Sequence, residues 1–172
     1  MDKNESIMTD TSTKILGTLR TEDGRGVVHL EDVYPTDIHD LWSAISEPDR
    51  LARWLVTVDG DTSIGNTFGA QFTSGWDGNL RVDVCSAPHN LVVTASDDEG
   101  ETTMEATLTP EGAGTRLVVE ERGLPLSEYA GHGSGWQAHF EDLGAYLAGR
   151  GASNWHDRWR ELTPAYEELA GR

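Results

Sequence analysis

The side chains able to do chemistry are few and scattered. The six histidines are His29, His39, His89, His132, His139 and His156, and none falls in the HxxxH or HExxH spacing that sets two imidazoles on one metal. His132 and His139 are seven apart beside one helical stretch, with glycines between them. The single cysteine, Cys85, lies in the strand-like run "RVDVCSAP" and reads as a buried or half-buried thiol, not a nucleophile. No GxSxG nucleophile elbow is present. "GHGSGW", residues 131–136, has the glycines of a phosphate cradle but lacks the Lys-Ser/Thr ending and the preceding strand. Its glycines read instead as the turn into a helix. The expectation is therefore no catalytic residue, no metal and no cofactor. His139 is the titratable group best placed to act, because it sits beside Phe140 on that helix. There an imidazole can make an ordinary hydrogen bond, contact a polar ligand, or move a proton near neutral pH.

The elements that must position these residues follow from periodicity. "KILGTLRTEDGRGVVHLEDVYPT" reads as a hairpin turning at Asp23-Gly24, with Val28 and Leu30 on one face and Pro35 ending the second strand. Thr36 is a candidate cap for a short helix carrying Ile38, Leu41, Trp42 and Ile45. Ser46 and Asp49 have capping-box spacing for a second helix, with Pro48 in its first turn and Leu51, Trp54 and Leu55 as its stripe. From residue 58 to 122 the period is two. Phe68, Ala70 and Phe72, then Leu80, Val82 and Val84, then Met104, Ala106 and Leu108, then Leu117 and Val119 line one face of an antiparallel meander. That apolar face needs a cover. Trp136, Phe140, Leu143 and Leu147 recur at i, i+4, i+7 and i+11, so a helix from Ser134 (capping box with Gln137) to about Gly149 supplies it. A last helical segment over 153–170 places Trp155, Trp159, Leu162, Tyr166 and Leu169 on one side, with a break expected at Thr163-Pro164. Its stripe fits either the body of the same chain or a second copy. The layout is α+β: one domain over 14–172, a C-terminal helical extension, and a flexible polar tail over 1–13 without the apolar middle of a signal peptide.

Thirteen Lys and Arg face 30 Asp and Glu, a formal net charge of −17. Such a surface repels phosphate backbones and anionic lipid, so neither nucleic-acid binding nor a basic membrane patch is expected. No apolar run approaches a membrane span. One cysteine permits no intrachain disulfide, which fits a cytoplasmic protein.

"VYPTDIHDLWSAISEPDRLARWL" resembles the opening signature of homologues of the activator of the heat-shock-protein-90 ATPase, members of the SRPBCC superfamily. "GNTFGAQF", "GNLRVDVCSAPHNLVVT", "TTMEATLTPEGAGTRLVVEERGL" and "GWQAHFEDLGAYLAG" follow in the same order, and the similarity spans roughly residues 14–170. The resemblance implies the helix-grip fold of START domains and polyketide cyclases: a curved antiparallel sheet wrapped around a long C-terminal helix, with two short helices after the first strands and a mostly apolar cavity. It carries over no catalytic residue. The first strand of such proteins often has an Arg shortly before the Pro, where this chain has the acidic "HLEDVYPT".

These readings converge on non-enzymatic binding of a small apolar or amphipathic molecule between sheet and long helix, by a monomer or homodimer. The alternatives are a cyclase- or hydrolase-type enzyme using the same cavity, or a chaperone ATPase regulator. Convergent ionisable groups inside the cavity would mark the enzyme; His139, Glu105 and Arg116 are the candidates, the last two expected to point outward. The expected ligand-binding residues are Trp54, Phe68, Phe72, Trp76, Met104, Trp136, His139 and Phe140. Trp42 and Trp155 are assigned to packing between helices.

Overall fold

The computed structural model describes residues 14–171; the tail over 1–13 lies outside the described residues. Strands β1 (Gly17–Glu22) and β2 (Arg25–Tyr34) form the first hairpin. Asp23 and Gly24 take φ of 52° and 77° at its turn, the left-handed pair that matches the twist of two antiparallel strands. Helices α1 (Ile38–Ser46) and α2 (Pro48–Leu51) follow, then β3 (Val56–Asp59), β4 (Thr67–Phe72), β5 (Asp77–Ser86), β6 (Asn90–Asp97), β7 (Gly100–Glu111) and β8 (Gly114–Leu124). Helices α3 (Tyr129–Leu147) and α4 (Trp155–Leu169) complete the chain.

The eight strands form one antiparallel sheet in the order β1-β2-β8-β7-β6-β5-β4-β3. Its curve wraps the long helix α3, the helix-grip architecture. Phe140 and Leu143 point from α3 onto the sheet and are 1% and 0% exposed. The buried Tyr34 hydroxyl ties helix to strand by donating to the Phe140 carbonyl at 2.8 Å. On the outer face, Arg116 bridges Glu31 and Glu111 and Arg122 pairs with Glu105, so Glu105 and Arg116 do point away from the interior.

Several local expectations need correction. Asp37, not Thr36, caps α1, its carboxylate accepting from the Asp40 N–H at 2.9 Å. Glu47 precedes α2 without a side-chain cap, and the Ser46 hydroxyl instead donates to the Trp42 carbonyl. Helix α3 begins five residues before Ser134. Ser134 is fully buried inside it and donates back to the Ala130 carbonyl, so Ser134 and Gln137 form no capping box.

The glycines of "GHGSGW" therefore lie within the helix, and α4 explains them. A Cβ on Gly133 would come within 2.6 Å of the Tyr166 ring, and one on Gly135 within 3.1 Å of the Trp155 ring. The bare backbone of α3 is the groove that receives the aromatic stripe of α4. That stripe packs on its own chain, with Leu162 and Tyr166 buried and Leu169 left 48% exposed. No break occurs at Pro164: α4 runs through it on its exposed side. Packing through Trp159, Leu162 and Tyr166 offsets the missing N–H.

Cys85 is exposed because it lies one residue from the end of β5, even though the pairing of β5 with β6 turns it inward. The register slips between Val82 and Val84. This bulge inserts one residue and flips the alternation beyond it. Val84 then faces outward, 40% exposed, and Cys85 comes to the inner face at the strand's open end.

Candidate functional site

Two cavities flank the N-terminal half of α3, and three side chains, Phe72, Met104 and Trp136, line both. The first, about 480 Å³, lies between the sheet and helices α1 to α3. Trp54 and Leu51 enter it from the α2 region, Phe68 and Leu80 from the sheet, and Phe140 from α3. Trp54 is 3% exposed and spends its indole N–H on the Ala44 carbonyl at 3.0 Å, so it presents only apolar surface. Trp42, assigned by sequence to packing alone, also borders this cavity, as do the exposed Ile64 and Cys85. The scale and apolar walls are those of a small-molecule pocket.

The second cavity, about 730 Å³, lies under α4 at the other end of the sheet. It takes Trp76 and His139 from the expected set, so the structure divides that set between two places. Trp76 sits at the β4–β5 hairpin tip, edge-on to Phe72 with ring centroids 5.5 Å apart. Its indole N–H donates to Asp97 at 3.0 Å. His139 is 5% exposed and ringed by Phe72, Trp136 and Trp155, with centroids 6.1, 5.7 and 5.4 Å away. Burial pushes its pKa down to about 3, the Glu121 charge opposing only weakly, so the imidazole is neutral at ordinary pH.

The sequence reading missed the most polar part of this cavity. Glu121 is 5% exposed on the inward face of β8. One oxygen accepts from the Trp136 indole at 2.8 Å and meets His132 Nδ1 at 3.0 Å. The other accepts from the Thr102 hydroxyl at 2.7 Å. Burial alone would raise the Glu121 pKa, but the His132 hydrogen bond and charge, with Thr102 and Trp136, outweigh it and hold the group below the usual carboxylate range. Burial likewise works against charge on His132, yet Glu121 lifts its pKa above the ordinary imidazole value. The two are hydrogen-bonded at the cavity wall, each favouring the charged form of the other. A signal existed: in β8 the alternation Leu117, Val119 continues to Glu121, which puts a carboxylate where a third apolar residue is expected.

Glu121, His132 and His139 are thus convergent ionisable groups, while the first cavity has an essentially apolar lining. Glu121 already has both oxygens engaged, which fits an anchor for Trp136 and His132 better than a free base. Among the described residues no three His, Cys, Asp or Glu side chains gather as metal ligands. No helix among them is long and apolar enough to cross a membrane.

The sequence pattern of the family described as activator of Hsp90 ATPase homolog 1-like protein matches residues 35–148. The chain belongs to this family. The match covers α1 through α3, the elements that enclose the first cavity, and stops short of α4. Among solved structures, the crystal structure of CalU16 from Micromonospora echinospora is similar over 94% of this chain and 99% of its own, at 22% identity and a TM-score of 0.77. Protein MLL2253 from Mesorhizobium loti is 25% identical over 71% of this chain and 96% of its own, with a TM-score of 0.64. DynU16, described as a putative protein in the dynemicin biosynthetic locus, is 24% identical over 77% of this chain but only 51% of its own length, with a TM-score of 0.69. These likenesses establish the SRPBCC fold. No curated protein matches the chain.

Proposed function

We propose that the protein is a binding module for a small apolar or amphipathic molecule held in the first cavity. The observation that carries this reading is a cavity of about 480 Å³ walled by Trp54, Phe68, Leu80, Phe140 and their apolar neighbours. A core built only for stability leaves few voids larger than a water. Membership of an SRPBCC family supports the same reading. The convergence of Glu121, His132 and His139 keeps a second, acid–base reading in play for the neighbouring cavity.

The test is titration with a fluorescent apolar probe, competition by a lipid-like library, and thermal unfolding with each hit. A molecule that binds only the native state raises the unfolding midpoint by mass action. Ala106 lines the first cavity, so Ala106→Trp fills it. The expected result is saturable binding by the wild type and loss in the folded Ala106→Trp variant. Absence of binding up to the solubility limit, or equal binding by the filled variant, overturns the proposal. Turnover of any hit by the wild type, abolished by His132→Gln or His139→Asn, would favour the acid–base reading instead.

A further inference from the structure

The indole N–H groups around the cavity under α4 have little to offer a guest. Trp76 spends its N–H on Asp97, Trp136 on Glu121, and Trp159 on the Gly131 carbonyl at 2.9 Å, while the Trp155 N–H is buried. His132 differs. Its Nδ1 meets the Glu121 carboxylate at 3.0 Å. A charged carboxylate only accepts, so Nδ1 carries the hydrogen, and Nε2 of the neutral imidazole is left as an acceptor. Among the described residues no group bonds Nε2, which stays open to solvent in a ring that lines the cavity.

The surrounding charge sets the sign of the guest. The exposed carboxylates of Asp97, Glu99, Glu101 and Glu128 line the same space, against Arg25 alone among the Lys and Arg side chains. On the outer face of the sheet, Glu31, Glu105, Glu111 and Glu120 are each paired with an arginine. Glu99, Glu101 and Glu128 make no such pair among the described residues. Once His132 loses its proton, the buried Glu121 keeps its hydrogen bonds from Thr102 and Trp136 but has no counter-charge. A cation at Nε2 supplies one. An anion would meet carboxylates, and a carbonyl would bring a lone pair to a lone pair. Aromatic walls suit an organic cation, because ring faces carry negative potential.

We propose that this cavity binds the ammonium group of an organic amine, with an ammonium N–H donating to Nε2 of His132 and the tryptophan rings packed around the carbon body. The ion then stands where the imidazole proton stood. The inference rests on His132 and its surroundings and goes beyond the first-cavity reading. The two cavities share Phe72, Met104 and Trp136, so the test reads each at a tryptophan the other lacks: Trp159 lines only this cavity, and Trp54 only the first.

The experiment is a two-dimensional ¹H–¹⁵N nuclear magnetic resonance titration of the full chain, at a pH above the His132 midpoint and below that of the probe amine. Indole signals are assigned by their loss in Trp54→Phe and Trp159→Phe, and the imidazole signals by their loss in His132→Phe. The probes are benzylammonium, benzyltrimethylammonium, benzyl alcohol and benzoate. Benzylammonium is expected to shift the Trp159 and His132 signals saturably and to bind about tenfold more tightly than benzyl alcohol, the worth of one charge-assisted hydrogen bond. Benzyltrimethylammonium, charged but without an N–H, should fall between them, and benzoate should leave both signals unmoved. His132→Phe should weaken benzylammonium about tenfold and benzyltrimethylammonium no more than about twofold. Glu99→Gln combined with Glu101→Gln should weaken both cations and leave benzyl alcohol unchanged, with the remaining indole signals reporting that each variant is folded. A silent Trp54 in titrations with apolar probes sinks the first-cavity reading and leaves this one standing. No saturable shift with benzylammonium, shifts confined to Trp54, equal or tighter binding of benzyl alcohol or benzoate, or variants that bind benzylammonium like the wild type overturns the proposal.

Discussion

The two halves of α3 are buried by opposite means. From Phe140 onward the helix drives large side chains into the sheet, and Phe140 and Leu143 are 1% and 0% exposed. Before Phe140 it offers Gly131, Gly133, Ser134 and Gly135, and α4 supplies the bulk through Trp155, Trp159 and Tyr166. One half is a knob and the other a groove. Gln137 completes the groove half: it accepts from the Tyr166 hydroxyl at 2.6 Å and the Leu16 N–H at 3.0 Å, and donates to the Lys14 carbonyl at 2.8 Å. The apolar cavity meets α3 only where the halves join, at Trp136 and Phe140, while the groove half, covered by rings that leave gaps, borders the larger and more polar one. Burial, then, is not a property of a residue type; a helix can be buried by what it lacks.

The hardest blow to the knob half is Phe140→Ala. It should lower stability by about 3–5 kcal/mol, read as a fall in the urea midpoint at unchanged slope. A loss near 1 kcal/mol would mean that Phe140 borders empty space more than core. In the groove half the informative change is an addition. Gly133→Ala should destabilise by about 1–3 kcal/mol, because the new Cβ meets the Tyr166 ring at 2.6 Å. This is against the roughly 1 kcal/mol that alanine gains over glycine in an unhindered helix.

Acid should separate the halves further. His139 has its folded pKa depressed to about 3, so below the unfolded value of about 6.5 the unfolded chain binds the proton more readily. Its contribution to stability is complete above that value and is lost as pH falls toward 3, with a slope approaching about 1.4 kcal/mol per pH unit. His139→Phe should flatten that limb in pH-dependent denaturation. An unchanged slope would show that His139 is reached by solvent. His132, raised by Glu121, has the opposite sign: its contribution is complete below the unfolded value and is lost as pH rises through the folded one. The smallest expected effect sharpens the comparison most. Gly144 lies in the knob half, and a Cβ there meets nothing nearer than the Tyr34 ring at 3.7 Å. Gly144→Ala should therefore stabilise by about 0.5–1 kcal/mol. If Gly133→Ala and Gly144→Ala move the unfolding midpoint in the same direction, the knob-and-groove distinction fails.

Local signals were legible where physics is local. Asp23-Gly24 specifies its turn because few residues accept positive φ, and Pro35 ends β2 because it has no N–H for the ladder. The period of two located the sheet, and Trp136, Phe140, Leu143 and Leu147 located the sheet-facing side of α3. The same local rules misread "GHGSGW" as a helix start and Thr163-Pro164 as a helix break. Whether a glycine breaks or a proline interrupts a helix depends on what packs against it.

The sequence by itself determined the strand-and-helix order, the inward face of most strands and the family pattern, because alternation and helical repeat are properties of neighbouring residues. Only the tertiary structure decided which aromatic residues share a space. It placed Glu121 against His132, eleven residues away, and set His139 beside Trp155, which belongs to another helix. It also turned Cys85 to the inner face through a bulge no spacing announced. Those juxtapositions depend on how the sheet curves and where α4 docks. They are set by the sum of many packing contacts, and no short stretch of chain encodes that sum.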